Sequence, residues 1–276
     1  MPELPEVQTV KTVLNKHIQN KKIKALDVYV EKLIKNMSVE EFSQKLIGKE
    51  IQKVRRKGKY LIFDIAEYSL LVHLRMEGKL FYYPEFIEKS KHDHIKFTFT
   101  DNSILMYNDV RKFGTFDLII KEEEADYKKL KNLGIEPFTK EFTATNLAQK
   151  LKNSKRKIKI DLLDQHKVSG LGNIYADEVL YACQIHPEQI SQTLDIHQIN
   201  NLIKYSEKIL QHAIAKKGTT IKSFATSNDH AGNYQQYLKV YFKDGEKCAR
   251  CKEIIKKIKV GGRGTHYCPT CQRIKW

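Results

Sequence analysis

No stretch of this chain approaches the ~20 consecutive apolar residues that a membrane helix needs, so no membrane partner is expected. The start of the chain lacks a charged segment, an apolar run and a small-residue cleavage site. No secretion signal is therefore visible, and the expected compartment is the cytoplasm. Internal repeats and low-complexity tails are also lacking. Acidic residues are in short supply: 33 Asp+Glu face 49 Lys+Arg, a net charge of +16. Such an excess favours a polyanionic partner, nucleic acid first, although a general lysine habit would produce the same number. Cysteine is scarce as well, with five in 276 residues. A reducing compartment argues against pairing them as disulfides. What remains is a globular composition, 41% hydrophobic, in a chain long enough for two domains with real cores.

Apolar periodicity divides the chain. Val7, Val10, Leu14 and Ile18 recur at helical spacing from Glu6 onward. Short strand-like runs follow at 23–30, 51–57, 60–65, 69–74, 95–99, 103–107 and 115–120, broken by turn signals such as Asp101-Asn102. Such a series reads as an antiparallel sandwich or barrel. Residues 39–46 form a second helix capped by Ser38. The charged run 121–131, then Gly134 and Pro137, leads out of this domain. Helical periodicity then governs 144–151, 158–163, 174–183 and 196–215. Residues 219–234 are polar with little periodicity and read as a mobile loop. The expected domains are 1–135, 136–236 and 237–276. The expected fold is multidomain α+β: an N-terminal β-sandwich with a helix at its start, a helical domain, and a cysteine-bearing β-hairpin.

The strongest local chemical signal is Cys248-x2-Cys251 and Cys268-x2-Cys271, with sixteen residues between the pairs. Two close pairs at that separation fit one tetrahedral Zn2+ on a β-hairpin. Four cysteine ligands leave no open position, so the metal is expected to be structural. Cys183 is left over and reads as packed core. Between the pairs, Arg263 is flanked by glycines, which suits a hairpin tip presenting a guanidinium to phosphate oxygens. The segment Val168-Ser-Gly-Leu-Gly-Asn173 joins two helices, and amides at the second helix start could hold a phosphate, with Asn173 adding a donor. A tight structural turn explains the glycines equally well. Five basic residues between Lys53 and Lys59 would track a phosphate backbone. In His73-Leu-Arg75-Met76-Glu77-Gly78 and Asp109-Val-Arg111-Lys-Phe113-Gly114, an apolar residue sits near an arginine and a glycine. Met76 and Phe113 are core residues by default, yet on loop tips they could wedge into a base stack.

The first six residues, Met-Pro-Glu-Leu-Pro-Glu, carry the catalytic signal. Removal of Met1 would make Pro2 an N-terminal secondary amine able to attack an aldehyde carbon. An α-amine has a pKa of about 8 against about 10.4 for lysine, so more of it is unprotonated at neutral pH. This is the Schiff-base logic of a catalytic lysine moved to a chain terminus. Glu3 and Glu6 offer carboxylates for proton transfer. The plainer alternative is a helix start, since proline and acids both suit a first turn.

Together these segments resemble the bacterial formamidopyrimidine-DNA glycosylase family. The carriers are Pro2-Glu-Leu-Pro-Glu6, Lys-Gly-Lys59-Tyr-Leu, His73-Leu-Arg-Met-Glu-Gly, Gly170-Leu-Gly-Asn-Ile-Tyr-Ala-Asp-Glu178 and Gly261-Gly-Arg-Gly-Thr-His-Tyr-Cys268-Pro-x-Cys271. The resemblance spans essentially the whole chain. It implies a base-excision repair enzyme that removes 8-oxoguanine and formamidopyrimidines from duplex DNA and cuts the strand by β,δ-elimination. It implies double-stranded DNA bearing an oxidised purine or an abasic site as the partner, hence nucleoid association, and a monomer. The helical domain would be the family's helix-two-turn-helix domain.

By that resemblance Pro2 is the nucleophile, Glu3 its acid/base, and Lys59 the lysine near the lesion phosphate. Glu6 and Glu178 support catalysis. Lys59, His73, Asn173, Tyr241, Lys257 and Arg263 match residues that grip the DNA. Met76, Arg111 and Phe113 match the trio that fills the hole left by the extruded base, Arg111 also counting among the DNA contacts. The loop 219–233, with Thr219, Ser223 and Phe224, corresponds to the lesion loop, and Glu77 lies near that pocket. The chain departs from the family's usual Asp-Pro-Arg-Arg-Phe-Gly with Asp-Val-Arg-Lys-Phe-Gly, which keeps Arg111 and Phe113. Two rivals remain. One is the sister enzyme endonuclease VIII, which acts on oxidised pyrimidines and typically has Gly where this chain has Leu4. The other is a non-catalytic zinc-ribbon DNA-binding protein, which would leave Pro2 and Glu3 unexplained.

Overall fold

The structure, a computed structural model, describes residues 1–219 and 232–274. These fall into two compact units, residues 1–131 with 217–233 and residues 132–216 with 234–276. Among the described residues no helix is long and apolar enough to cross a membrane.

In the first unit, helix α1 (Leu4–Ile18) starts two residues before Glu6, with Pro5 and Glu6 in its first turn. Proline loses nothing there, because the first amides have no intrahelical acceptor. Val7, Val10, Leu14 and Ile18 form its buried stripe. Eight antiparallel strands follow: β1 (Lys21–Val28), β2 (Glu50–Lys57), β3 (Tyr60–Ile65), β4 (Tyr68–His73), β5 (Lys79–Tyr83), β6 (Asp93–Phe99), β7 (Ile104–Asn108) and β8 (Thr115–Ile120). Their order is β5-β7-β6-β1-β2-β3-β4-β8. Strand β1 belongs to both halves of this sandwich. Lys21 and Lys22 pair with β2, Ile23 to Val28 pair with β6, and the ladder shifts register between Ile23 and Ala25. One core holds both halves together, with Val54, Phe63 and Val72 from one side and Ile95, Phe97 and Leu105 from the other. Full burial of each such side chain contributes about 1.5–3 kcal/mol.

Helix α2 (Val39–Leu46) lies where the sequence puts it, with Ser38 accepting the Glu41 N–H at 3.1 Å. Strand β5 is the one strand of this sheet that the sequence reading lacks. It is an edge strand with only Leu80 buried, so its alternation of polar and apolar residues is weak. A four-residue helix, α3 (Lys128–Lys131), closes the charged run.

The second unit carries α4 (Ala144–Leu151), α5 (Ile158–Leu163), α6 (Asn173–Cys183) and α7 (Ile196–Ala215). Three of these match the expected spans, and α6 begins one residue early. Asp195 caps α7 by accepting the Gln198 N–H at 2.7 Å, and the Gln198 side chain accepts the Asp195 N–H at 3.1 Å. That reciprocal box fixes the start of the longest helix. Strands β9 (Lys256–Val260) and β10 (Arg263–Tyr267) form the terminal hairpin. Its two-residue turn, Gly261-Gly262, takes φ values of 56° and 78°, the left-handed pair that a tight hairpin demands. Arg263 is therefore the first residue of β10 and is exposed.

Candidate active site and metal centre

The start of α1 holds the first cluster. Met1 is 44% exposed, whereas Pro2 and Glu3 are buried. Glu6, 1% exposed, accepts the Glu3 N–H on one carboxylate oxygen at 2.9 Å. The other oxygen takes the Thr219 N–H at 3.0 Å and its hydroxyl at 3.2 Å. Glu6 thereby ties the helix start to the first residue of the loop, and both its oxygens are engaged. Ser223, Phe224 and most of the expected lesion loop lie outside the described residues.

Lys59 is the last residue of the β2–β3 turn and is only 4% exposed. Next to it in the sheet, His73 stands edge-on to Tyr60 at 4.7 Å. The His73 Nδ1 accepts the Arg75 N–H at 3.0 Å, which leaves Nε2 as the protonated nitrogen of a neutral ring. Burial, reinforced by Arg75, Lys59 and Lys129, depresses its pKa to about 3. Not all of the basic run before Lys59 is available to a partner. Arg55 forks onto Asp64 and Glu124, with contacts of 2.6–3.1 Å, and Arg56 reaches Gln8 and the Gly58 carbonyl. The expectation that all five cations track a phosphate backbone is thus corrected: Arg55 is spent within the fold.

Met76 and Phe113 are not core. They stand 39% and 50% exposed on loops whose residues Arg75 and Lys112 adopt φ of 54° and 55°. The second loop is shaped by Asp109, which is fully buried. Its carboxylate accepts the N–H groups of Arg111 (3.0 Å), Phe113 (2.8 Å) and Gly114 (3.0 Å). The Arg111 guanidinium lies 4.6 Å from the Phe113 ring centroid, and Glu77 is exposed. Sequence reasoning named Asp109 only as the start of its motif and gave it no role. The available signal was an aspartate closely followed by a glycine-terminated turn, where its carboxylate can serve successive amides.

In the second unit Glu178 projects from α6 and is 3% exposed. Its carboxylate gathers the N–H groups of Lys239, Val240 and Tyr241 at 2.9–3.0 Å. Burial pushes its pKa up against the pull of those three amides. Glu178 therefore sets the backbone at Tyr241 in place. Asn173 opens α6 and donates its side-chain amide to the Gly264 carbonyl at 3.0 Å, so it is joined to the hairpin. A buried network missed by sequence reasoning adds to that joint. Lys159 of α5 pairs with Asp177 and donates to the Asn173 carbonyl at 3.1 Å. Asp177 in turn accepts the His266 backbone N–H at 2.9 Å. Lys257 and Arg263 are exposed on the two strands of the hairpin.

The four hairpin cysteines converge, with all their Sγ atoms within 4.8 Å of one another. Cys251 and Cys268 are 3.4 Å apart, and Cys248 and Cys271 are 3.9 Å apart. Zinc with Zn–S bonds of about 2.3 Å places tetrahedral sulfurs about 3.8 Å apart, so the donor set fits one ion with no position open to substrate. Cys183 is only half-buried at the end of α6, and burial pushes its thiol up to about 12.

The comparisons with known proteins follow the same divisions. Residues 1–116 match the formamidopyrimidine-DNA glycosylase N-terminal domain, residues 133–225 its H2TH domain, and residues 245–274 the zinc finger found in FPG and IleRS. The cysteine cluster is thus a zinc finger holding one structural Zn2+. A formamidopyrimidine-DNA glycosylase of Listeria innocua is 44% identical, with 99% of this chain and 100% of the relative covered. A structure of MutM in complex with DNA containing carbocyclic 8-oxo-G is 44% identical with a TM-score of 0.91, covering 99% and 100% of the two chains. The Lactococcus lactis enzyme bound to DNA containing an AP site is 42% identical with a TM-score of 0.90, covering 98% and 99%. Likeness of that extent, running through every domain, places this chain in the formamidopyrimidine-DNA glycosylase family.

Proposed function

We propose that this chain is a bifunctional DNA glycosylase and abasic-site lyase that excises oxidised purines from duplex DNA. The observation that carries the reading is the cluster at the start of α1. There Pro2 is buried at the positive end of the helix, Glu3 stands beside it, and Glu6 is fixed to Glu3 and Thr219. The damaged nucleotide must leave the stack, at a cost of a few kcal/mol. Insertion of Met76 and Phe113, with Arg111, offsets part of that cost. Lys59, His73, Asn173, Tyr241, Lys257 and Arg263 hold the phosphates around the lesion. With Met1 removed, the neutral Pro2 nitrogen attacks C1′, the C1′–base bond breaks, and Glu3 protonates the sugar ring oxygen as the ring opens. The resulting iminium acidifies the C2′ hydrogen, and β- then δ-elimination leaves a one-nucleotide gap. Glu6 acts by positioning Glu3, Glu178 acts by positioning Tyr241, and Glu77 borders the base pocket.

Functionally the chain divides into a catalytic domain at 1–135, a DNA-gripping domain at 136–236 that bears the lesion loop 219–233, and a zinc finger at 237–276. The protein works as a monomer bound to DNA in the cytoplasm. Borohydride trapping on an 8-oxoguanine:cytosine duplex, with mass spectrometry to locate the crosslink, tests the reading. An adduct on Pro2 is expected, and Pro2→Gly should lose base excision by orders of magnitude. Trapping only on an oxidised-pyrimidine duplex would make the chain an endonuclease VIII-like enzyme. Undiminished turnover by Pro2→Gly would remove Pro2 as nucleophile.

A further inference from the structure

We propose that Tyr107 is a positioning residue whose hydroxyl couples the Met76 loop to the Phe113 loop, so that both wedges are set by one rigid strut. The inference rests on the reading of Met76 and Phe113 as void-filling residues. Tyr107 lies in β7 with no exposed surface. Its neighbours Leu80 of β5 and Ile95 of β6 pair with it from either side, and Phe116 packs edge-on at 4.9 Å. A ring so clamped has no freedom to follow a moving loop.

Its hydroxyl meets both loops. It donates to Asp109 Oδ2 at 3.0 Å, the same oxygen that accepts the Phe113 and Gly114 N–H groups. A Cβ at Gly114 would overlap this hydroxyl, and one at Gly78 would lie 2.5 Å from it. Both wedge loops therefore end on glycines pressed against a single oxygen atom. Burial, followed by the Asp109 charge, pushes the phenol well above its ordinary range, so it remains an O–H donor at working pH. Displacing either loop must disturb the atom that braces the other. Asp109 fixes the shape of the Phe113 loop, and Tyr107 transmits that placement to Gly78 and hence to Met76.

A mutant cycle in single-turnover excision from an 8-oxoguanine:cytosine duplex tests this. Tyr107→Phe removes one buried hydrogen bond and should slow excision about tenfold. In a Met76→Ala/Phe113→Ala background there is no wedge to position, and the same change should cost less than about twofold. A merely structural role would give equal losses in the two backgrounds, and that result overturns the proposal, as does an undiminished rate for Tyr107→Phe alone. If Met76→Ala/Phe113→Ala itself excises at the parent rate, the void-filling reading has failed, and the coupling falls with it. Should Tyr107→Phe melt too early to assay, Asp109→Asn takes its place in a Phe113→Ala background, where its cost should vanish on adding Met76→Ala, and a cost that persists overturns the coupling.

Discussion

The neutral state of His73 has a measurable consequence for stability. In the unfolded chain the ring takes up a proton near pH 6.5, whereas in the fold it does so only at about 3. Between those values the unfolded state binds the extra proton, so stability rises with pH across that window and falls as acid is added. The slope is about 1.4 kcal/mol per pH unit, close to 5 kcal/mol over the whole window. Lowering the pH from 7.5 to 5 should therefore remove about 2 kcal/mol through this one group. His73→Asn keeps an acceptor for the Arg75 N–H but cannot titrate. The stability difference between parent and variant should shrink by that amount over the interval, which isolates His73 from the carboxylates titrating at the acid end. Urea unfolding at the two pH values measures it, and NMR titration of the labelled ring gives the folded pKa directly. A difference that stays constant from pH 5 to 7.5 would mean that the ring titrates normally. It would also refute the assignment of a neutral Nε2–H donor, for which the hydrogen bond from Arg75 is the geometric support.

Stripping the zinc with a chelator is expected to unfold the β9–β10 hairpin and abolish duplex binding, because the cysteines hold its base. Hydrogen exchange should show the hairpin amides losing protection while the eight-stranded sheet keeps its own, and a protected hairpin without metal would contradict the structural role. The salt dependence of duplex binding should be shallow for so basic a chain. Of the proposed phosphate contacts only Lys59, Lys257 and Arg263 are cationic, so a plot of log K against log salt should have a slope of about −3. A slope near −8 would assign the grip to many further surface lysines.

Much of this architecture was legible because its signals are local. The stripe Val7, Val10, Leu14 and Ile18 specifies α1, Ser38 announces α2, and two Cys-x2-Cys pairs specify a metal hairpin. What escaped depends on partners far apart in sequence. Arg55 reads as one more surface cation until the fold brings Glu124 to it, 69 residues away. Lys159 drew no reading of its own within the helical span 158–163, yet it is fully buried against Asp177. Strand β5 escaped for a different reason, since an edge strand with one buried residue hardly alternates. At Met76 and Phe113 the default of hydrophobic residues inside gave the wrong answer. Apolar residues held out in solvent on shaped loops are a departure that a folded protein makes at sites of function.

The proposed DNA contacts divide into two kinds with different physical consequences. Lys59, Lys257 and Arg263 are cations, and they supply attraction that is screened by salt and indifferent to sequence or damage. His73, Asn173 and Tyr241 carry no net charge, and each is held by a main-chain hydrogen bond: the Arg75 amide on His73, the Gly264 carbonyl on Asn173, and the Tyr241 amide on Glu178. Neutral donors add little to the long-range pull toward undamaged DNA. The His73 ring and the Asn173 amide are already oriented, so they lose little freedom when a phosphate arrives in the right place, and a misplaced phosphate gains little from them. A glycosylase must cross long stretches of intact duplex and grip only where a nucleotide can be drawn out. Weak general attraction combined with rigid local geometry meets that requirement, and a denser set of lysines at the same positions would not.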